Sequence, residues 1–372
     1  MPSIPLLIIG AGPAGLSTAL HLLQINPGWK DRLLMLDKAT HPRHKLCGGG
    51  VTPMGLRILR GLGFPSPLPL PHAAVEDVRL AYGKRVIHVR GKPEFIVFHR
   101  QELDAYLAEE AKRRGIQIHE DEAVKALFWQ ADGVKVITTK GEYLAEVIVG
   151  ADGSKGITRR TMGGQTTPGR VARLLEVIHP AQDTAPQFEQ KYALFDFSSA
   201  RQDLQGYTWD FPAWVGGVAH FNRGIYDARL WTHRPKAKLP TLLNQTLTDL
   251  GTNPEQVKIE GHPIHCFTPD NHFSARRVVL VGDAAGADAL FGEGIAPALA
   301  YGKVAAQAIH QAFISRDFSF TNYWQKIFFS PLGGYMLFRW WVSWWAYQLS
   351  GQAWYMHLFW TVAGTLAKLK RL

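Results

Sequence analysis

The chain has 372 residues, 46% hydrophobic and 19% charged, with 36 Gly and 22 Pro. That composition excludes wholesale disorder, a collagen-like repeat and a polytopic membrane protein, and the length suffices for one large domain or two modest ones with a sizeable core. The net charge of +10 is uneven: half of it falls in the last 55 residues, where Lys326, Arg339, Lys368, Lys370 and Arg371 follow Asp317 with no further acid. Two cysteines, Cys47 and Cys266, cannot build a disulfide framework or a four-ligand zinc site, and the 15 histidines show no ligand spacing, so no metal site is expected. Basic residues form no stripe outside the tail, which argues against a nucleic-acid partner. The N-terminus has neither a basic region nor a small-residue cleavage site, so a cytoplasmic location is expected.

In chain order, residues 4 to 9 form a continuous apolar run of the kind found in a parallel strand covered on both faces. The run meets Gly10-Ala11-Gly12-Pro13-Ala14-Gly15, a helical pattern follows to about Asn26, and Leu33 to Leu36 is a second buried strand ending at Asp37. This is one βαβ unit. Thr52 and Pro53 suit the N-cap and first position of another helix. Residues 75 to 98 alternate like antiparallel strands, 100 to 114 read as a helix closed by Gly115, and strands follow near 116–119, 124–129, 134–139 and 143–149. From 171 to 265 the pattern is strand-rich, at Tyr192 to Phe197, Gly206 to Phe211 and Val215 to Phe221, with one helical stretch near 241–250. The buried-strand pattern returns at Arg277 to Val281 and passes through Gly282-Asp283 into a long helix from about Gly294 to Ser315.

The hexad G-x-G-x-x-G makes a tight turn, lets backbone approach a pyrophosphate and brings helix close to strand, while the helix N-terminus offers free amides. Here it follows a strand, opens a helix and is followed 27 positions after Gly10 by Asp37, placed to accept from a ribose hydroxyl. A dinucleotide site follows from that context. Two further strand-to-turn stretches stand elsewhere: Val-Ile-Val-Gly-Ala-Asp-Gly-Ser-Lys-Gly-Ile-Thr-Arg-Arg at 147–160, and Val-Leu-Val-Gly-Asp-Ala-Ala-Gly at 279–286 leading to Phe291-Gly292-Glu293-Gly294-Ile295.

Together with Arg100 in His-Arg-Gln-Glu-Leu-Asp-Ala-Tyr-Leu, these three stretches resemble the FAD-binding fingerprints of the aromatic-hydroxylase-type flavoprotein superfamily, from residue 4 to about 310. The resemblance implies an α/β fold: a discontinuous Rossmann-like FAD-binding domain of three ββα layers, an inserted antiparallel-sheet substrate domain and a C-terminal helical segment. The divisions expected are 1–74, 99–170 and 271–317 for FAD binding, 75–98 and 171–270 for the substrate sheet, and 318–372 for an aromatic helical region. It further implies that Gly10, Gly12, Ala14, Gly15, Asp37 and Lys38 serve the ADP half, Val124 the adenine, Arg100 the diphosphate, Asp283 the ribityl chain, and Gly294 with Ile295 the isoalloxazine.

Pro42-Arg43-His44-Lys45-Leu46-Cys47-Gly48-Gly49-Gly50 and Gly206-Tyr207-Thr208-Trp209-Asp210-Phe211-Pro212 resemble the Cys-Gly-Gly loop and the Tyr-x-Trp-x-Phe-Pro substrate motif of geranylgeranyl reductases. Those enzymes reduce isolated double bonds of prenyl chains. The resemblance implies that Cys47 and Gly48 lie at the flavin and that Tyr207, Trp209, Phe211 and Pro212 hold an isoprenoid chain. Physically, three aromatics on one face of a strand serve either as plain core or as a rigid apolar wall, and Cys47 is either an inert small residue or a substrate-side contact and proton source. FAD is the expected cofactor, with NADPH or ferredoxin as electron donor, since no second glycine fingerprint is present. The alternative reaction is monooxygenation or halogenation, because a Trp-x-Trp-x-Ile-Pro motif of flavin halogenases is similar. Two departures stand out: Ala289 occupies a position where many members carry proline, leaving the backbone over the flavin edge less rigid, and Gly156 stands where serine is common.

Residues 340 to 367 contain no Asp, Glu, Lys or Arg and hold six of the 12 tryptophans. Polar residues and the break at Ser350-Gly351 favour two interfacial helices over a full span, with residues 333–372 in peripheral contact with the inner face of a membrane. The other reading lines the core or a substrate tunnel with these aromatics.

Overall fold

The computed structural model of the chain describes residues 2–162 and 170–369. Lys370 and Arg371 of the basic tail lie outside the described residues. The first apolar run forms the strand Ser3–Ile9, which pairs in parallel with Leu33–Leu36 on one side and Glu142–Gly150 on the other. Val278–Leu280 and Gln117–His119 extend the same parallel sheet. A parallel strand needs an unbroken apolar run because both its faces are covered, and Leu6, Leu7, Ile8, Val147, Ile148, Val149, Val278 and Val279 are all wholly buried. Strand Glu142–Gly150 belongs to two layers at once: its first residues also pair antiparallel with Val134–Thr138, which pairs in turn with Val124–Trp129. With the helices Pro13–Ile25, Arg100–Arg113 and Ile295–Ser315 packed into the same core, the result is the layered Rossmann-like arrangement expected.

The second sheet runs in the order Glu260–His265, Val171–Pro180, Val218–Asp227, Gly206–Val215, Tyr192–Asp196, His72–Tyr82, Arg85–Phe98, Gly50–Val51. It is antiparallel except at one junction, where Tyr192–Asp196 runs parallel to His72–Tyr82. The long excursion through the nucleotide-binding sheet between these two strands supplies the crossover a parallel pair requires. One local expectation is corrected. Val215 to Phe221 is not a strand: Val215 ends one strand, Val218 starts the next, and Gly216 and Gly217, at φ of 58° and 78°, form the tight turn whose twist suits a two-residue hairpin. Thr52 and Pro53 take the N-cap and first position of the helix Pro53–Gly61 as expected, and the Thr52 hydroxyl, free of any capping bond, donates to Glu293 Oε1 at 2.7 Å.

The C-terminal region forms the helices Pro331–Gln348 and Ala353–Leu369, broken at Ser350-Gly351. Trp231 Nε1 donates to the Trp344 carbonyl, Arg234 donates to the Tyr347 carbonyl and the Ser350 hydroxyl, and Trp360 stacks on Tyr82. The pair is thus clamped onto the second sheet.

The two long helices of the nucleotide-binding half cross where Gly302 faces Ser17, whose hydroxyl donates to the Leu299 carbonyl at 2.6 Å. A Cβ at Gly302 would lie 2.6 Å from the Ser17 side chain and 2.7 Å from the Thr18 amide nitrogen. Gly302→Val therefore forces the helices apart, and a loss of about 1–3 kcal/mol is expected in urea unfolding, with weakened coenzyme retention because Pro13–Ile25 carries the glycine turn.

Candidate active site

The site begins at the turn between Ile9 and Pro13. Gly10 has φ of 108°, and a Cβ there would fall 2.4 Å from the Ala151 carbonyl oxygen. Gly15 is pressed beneath the turn, with a hypothetical Cβ 2.0 Å from the Gly10 oxygen. The loops after two neighbouring parallel strands therefore touch through backbone alone. Asp37, at the end of the third, accepts from the amides of Ala11 at 2.8 Å and Ala39 at 2.9 Å, so it ties its own loop to the glycine turn while its carboxylate still faces the cavity.

From this turn a cavity of about 930 Å³ runs between the two sheets, at the upper end of the roughly 300–1,000 Å³ common for small-molecule sites. One end is strongly cationic. Arg100 forms a fork on the wholly buried Asp104, with both bonds at 2.9 Å, and Arg43 Nη2 meets the same carboxylate at 3.1 Å. Burial pushes the Asp104 carboxyl up, yet Arg100 and Arg43 outweigh it and hold it below its usual range. Arg100 and Arg43 line the cavity as fixed cations. Beside them Lys45 Nζ lies 2.9 Å from His262 Nε2. Burial lowers both groups, His262 to about 4 with the charge of Lys45 adding to the effect, so the imidazole is a neutral acceptor at neutral pH. Asp283 lines the cavity where the helix Ile295–Ser315 begins, and among the described residues its side chain takes only a long 3.5 Å hydrogen bond from the Ser154 hydroxyl.

The other end is aromatic. Tyr207, Trp209 and Phe211 alternate along Gly206–Val215, point to one face and line the cavity with Phe95, Phe195 and Phe291. The Tyr207 hydroxyl donates to the Phe291 carbonyl at 2.5 Å and the Trp209 indole to Asn222 Oδ1 at 2.7 Å, so no polar hydrogen of the wall points into it unpaired. The glycine triplet passes directly over this wall: a Cβ at Gly48 would sit 3.2 Å from Phe211, and Gly49, at φ of 74°, would place one 2.1 Å from the Phe98 carbonyl oxygen. Cys47 lines the cavity at this crossing, its Sγ accepting from the Gly49 amide at 3.4 Å.

The loop 286–294 closes the roof. Asp288 accepts from the amides of Leu290 and Phe291 at 2.9 and 2.8 Å, and Arg339 of the C-terminal helix donates to it at 2.6 Å. Glu293 is held by Thr52, Tyr335 and Arg339. The missing proline at Ala289 thus leaves the loop no freer, because ionic and amide bonds tie it down. Gly156 likewise has a reason: a Cβ there would strike the Asp152 carboxylate at 2.1 Å, which is engaged with the Thr158 amide and hydroxyl.

Of the residues singled out from the sequence, Gly10, Gly12, Ala14, Asp37, Lys38, Cys47, Gly48, Arg100, Val124, Asp283, Gly294, Ile295, Tyr207, Trp209 and Phe211 all line this one cavity. Gly15 does not, since its place is under the turn, and Pro212 does not, since strand alternation turns it to the opposite face. Arg43, Lys45, Asp104, Asn222, Glu293 and Arg339 are site residues that no sequence expectation assigned there. The spacing of Arg100 and Asp104, four apart on a helix, signals the first pair; the ion pairs of Arg339 carry no local signal, because its acidic partners Glu293 and Asp288 lie 46 and 51 positions away. A backbone cradle without side chains, two helix N-termini, fixed arginines and an acceptor at Asp37 fit the extended diphosphate of FAD, and the flat glycine crossing fits a ring system.

Comparison with known proteins agrees. The family model described as an FAD binding domain matches residues 3–288. Geranylgeranyl diphosphate reductase of Rhodobacter capsulatus is 28% identical over 315 residues, covering 81% of this chain and 73% of that protein. A geranylgeranyl bacteriochlorophyll reductase-like protein from Thermoplasma acidophilum shares the fold with a TM-score of 0.77 at 21% identity, over 94% of this chain and 89% of that one. A mutant of halogenase PltM in complex with FAD has a TM-score of 0.66 at 18% identity, over 86% and 72%. The chain belongs to the FAD binding domain family and is an FAD-dependent oxidoreductase with geranylgeranyl reductase-like homologues.

Proposed function

We propose that this flavoprotein reduces isolated C=C bonds of a prenyl chain. The observation that carries the reading is the crossing of the Cys47-Gly48-Gly49 loop over Trp209 and Phe211 inside a single cavity whose far end fits FAD. An isolated alkene offers no carbonyl to polarise, so its reduction needs a hydride, a proton and a dry, oriented pocket. Bound FAD, once reduced, supplies the hydride. Gly10, Gly12, Ala14, Asp37, Lys38, Val124, Arg43, Arg100, Asp283, Gly294 and Ile295 would hold the coenzyme. The chain's other residues exclude water and hold the substrate: Tyr207 and Trp209 have their polar hydrogens occupied, so they present only ring surface, and Phe195, Phe211 and Phe291 complete an apolar channel. Cys47 Sγ, at the crossing, is the group we assign to deliver the proton. NADPH or ferredoxin is the electron donor in this reading, and the two are told apart by which one bleaches the bound flavin anaerobically.

The halogenase likeness keeps oxygen chemistry as the competing reading; substrate-stimulated oxygen consumption is the observation that would favour it. The anaerobic counterpart is decisive: dithionite-reduced holoenzyme mixed with geranylgeranyl substrates should yield products two hydrogens heavier by mass, and failure with every such substrate defeats the proposal. Cys47→Ala is expected to slow that step by about 10²-fold, the lower end of general acid–base contributions, while Cys47→Ser retains part of it.

The tail suits an apolar substrate. Its inner face packs on Tyr82, Phe197 and Trp231 and sends Arg339 to the cavity wall, while Phe338, Trp341 and Trp345 on one helix and Trp354, Leu358 and Val362 on the next are exposed. Among the described residues no helix is long and apolar enough to cross a membrane. We therefore place this outer face in peripheral contact with an anionic membrane surface on the cytoplasmic side, tryptophan being favoured at headgroup level and the acid-free tail matching its charge. The protein should sediment with anionic vesicles, and a Trp341→Ser, Trp345→Ser, Trp354→Ser variant should stay in the supernatant; equal sedimentation of both would refute the contact. Truncation is a poorer test, because removing Arg339 leaves the buried Asp288 uncompensated: Arg339→Met alone is expected to cost about 3–5 kcal/mol in urea unfolding.

A further inference from the structure

Behind the aromatic wall lies a buried carboxyl that neither coenzyme nor substrate needs to touch. Glu176 sits in the strand Val171–Pro180 on the same face as Leu174, which lines the cavity, and it is 1% exposed. Its Oε1 accepts from Asn222 Nδ2 at 2.8 Å, and the same amide group donates to the Cys47 carbonyl at 3.2 Å. The orientation of Asn222 is fixed by chemistry: Trp209 Nε1 is a donor only, so the oxygen it meets at 2.7 Å must be Oδ1, and both amide hydrogens are left for Glu176 and Cys47. Glu176 Oε2 makes no hydrogen bond among the described residues. One acid is therefore joined, through one amide, to the substrate wall on one side and to the glycine-loop crossing on the other.

We propose that Glu176 is a positioning residue that works as a neutral acid: protonated, it holds Asn222 so that Trp209 and the Cys47 loop keep their spacing, and ionised, it accepts more strongly from Asn222 and draws that amide away from Trp209 and the Cys47 carbonyl. The proposal deepens the prenyl-reductase reading and rests on it for the identity of the substrate. The charged and titratable groups that face Glu176 are few. Glu260, its register partner on the neighbouring strand, repels an ionised form, although His44 and Lys258 partly neutralise it; the opposite neighbour is Gly224, which brings no charge; Arg100 favours ionisation, and Cys47 contributes its backbone. Burial dominates and pushes the carboxyl up from 4.5 to about 7, against the pull of Asn222, Arg100 and the Cys47 backbone. The sign follows: the folded state holds this proton more tightly than the unfolded chain does, so the stability contributed by neutral Glu176 is complete below about 4.5 and is lost as pH rises through about 7.

The test compares the wild-type holoenzyme with Glu176→Gln, which keeps an acceptor for Asn222 but cannot ionise. In infrared difference spectra between acid and alkaline pH, taken without substrate, the wild type should show a protonated-carboxyl C=O band that disappears with a midpoint near 7 and is missing from the variant. The KM for the prenyl substrate should rise several-fold from pH 6 to pH 8.5 in the wild type and stay flat in Glu176→Gln, with kcat following one profile in both. Identical infrared titrations in the two proteins would overturn the assignment of a neutral acid whatever the substrate proves to be. A carboxyl band without the KM difference would overturn its positioning role. Failure of prenyl reduction with an intact carboxyl band would instead count against the reductase reading.

Discussion

Everything in this molecule is hung on the closeness of backbone to backbone at the ends of two parallel strands. Gly10 and Gly15 let the turn after Ser3–Ile9 settle onto Ala151 at the end of Glu142–Gly150, with clearances that admit no side chain. That contact brings a helix N-terminus, the Asp37 loop and the Ala151–Gly153 turn to one point, and the cavity is the space left above them. A turn one methyl group thicker would separate these loops and with them the ligands they carry.

The cavity has two chemical halves, and each is stabilised by polar pairs placed behind its lining. At the cationic end Asp104 gathers Arg43 and Arg100, so the cations are oriented before any anion arrives; at the aromatic end hydroxyl and indole hydrogens are consumed by Phe291 and Asn222, which leaves ring surface toward the cavity. Such preorganisation lowers the ordering cost at binding. The loop that joins the halves, residues 286–294, is locked by Asp288 and Arg339 rather than by a proline, so the C-terminal helices are a structural part of the site and not an appendage to it.

Local patterns carried far. The hexad in its strand-to-helix setting, the buried-strand runs and the alternation Tyr207, Trp209, Phe211 are periodic or contiguous signals, and the elements they announce are present close to the expected residues. Chain pattern was weaker wherever the reason for a residue lay in another segment. The parallel junction at Tyr192–Asp196 depends on which strand it returns to, the Thr52 hydroxyl serves Glu293 rather than its own helix, and Pro212 was grouped with its motif although a period of two sends it away from the cavity.

Sequence by itself determined the coenzyme class, the layered architecture and many of the residues that face the cavity, because a dinucleotide cradle is built from short contiguous stretches whose glycines and acids have one economical geometry. Tertiary structure alone decided what stands behind those residues: Asp104 beneath two arginines, Glu176 and Asn222 between wall and loop, and Arg339 reaching from the tail to Asp288. The physical reason is that a buried charge or carboxyl is satisfied by whatever the fold brings within about 3 Å, and that proximity between segments far apart in the chain leaves no periodic trace.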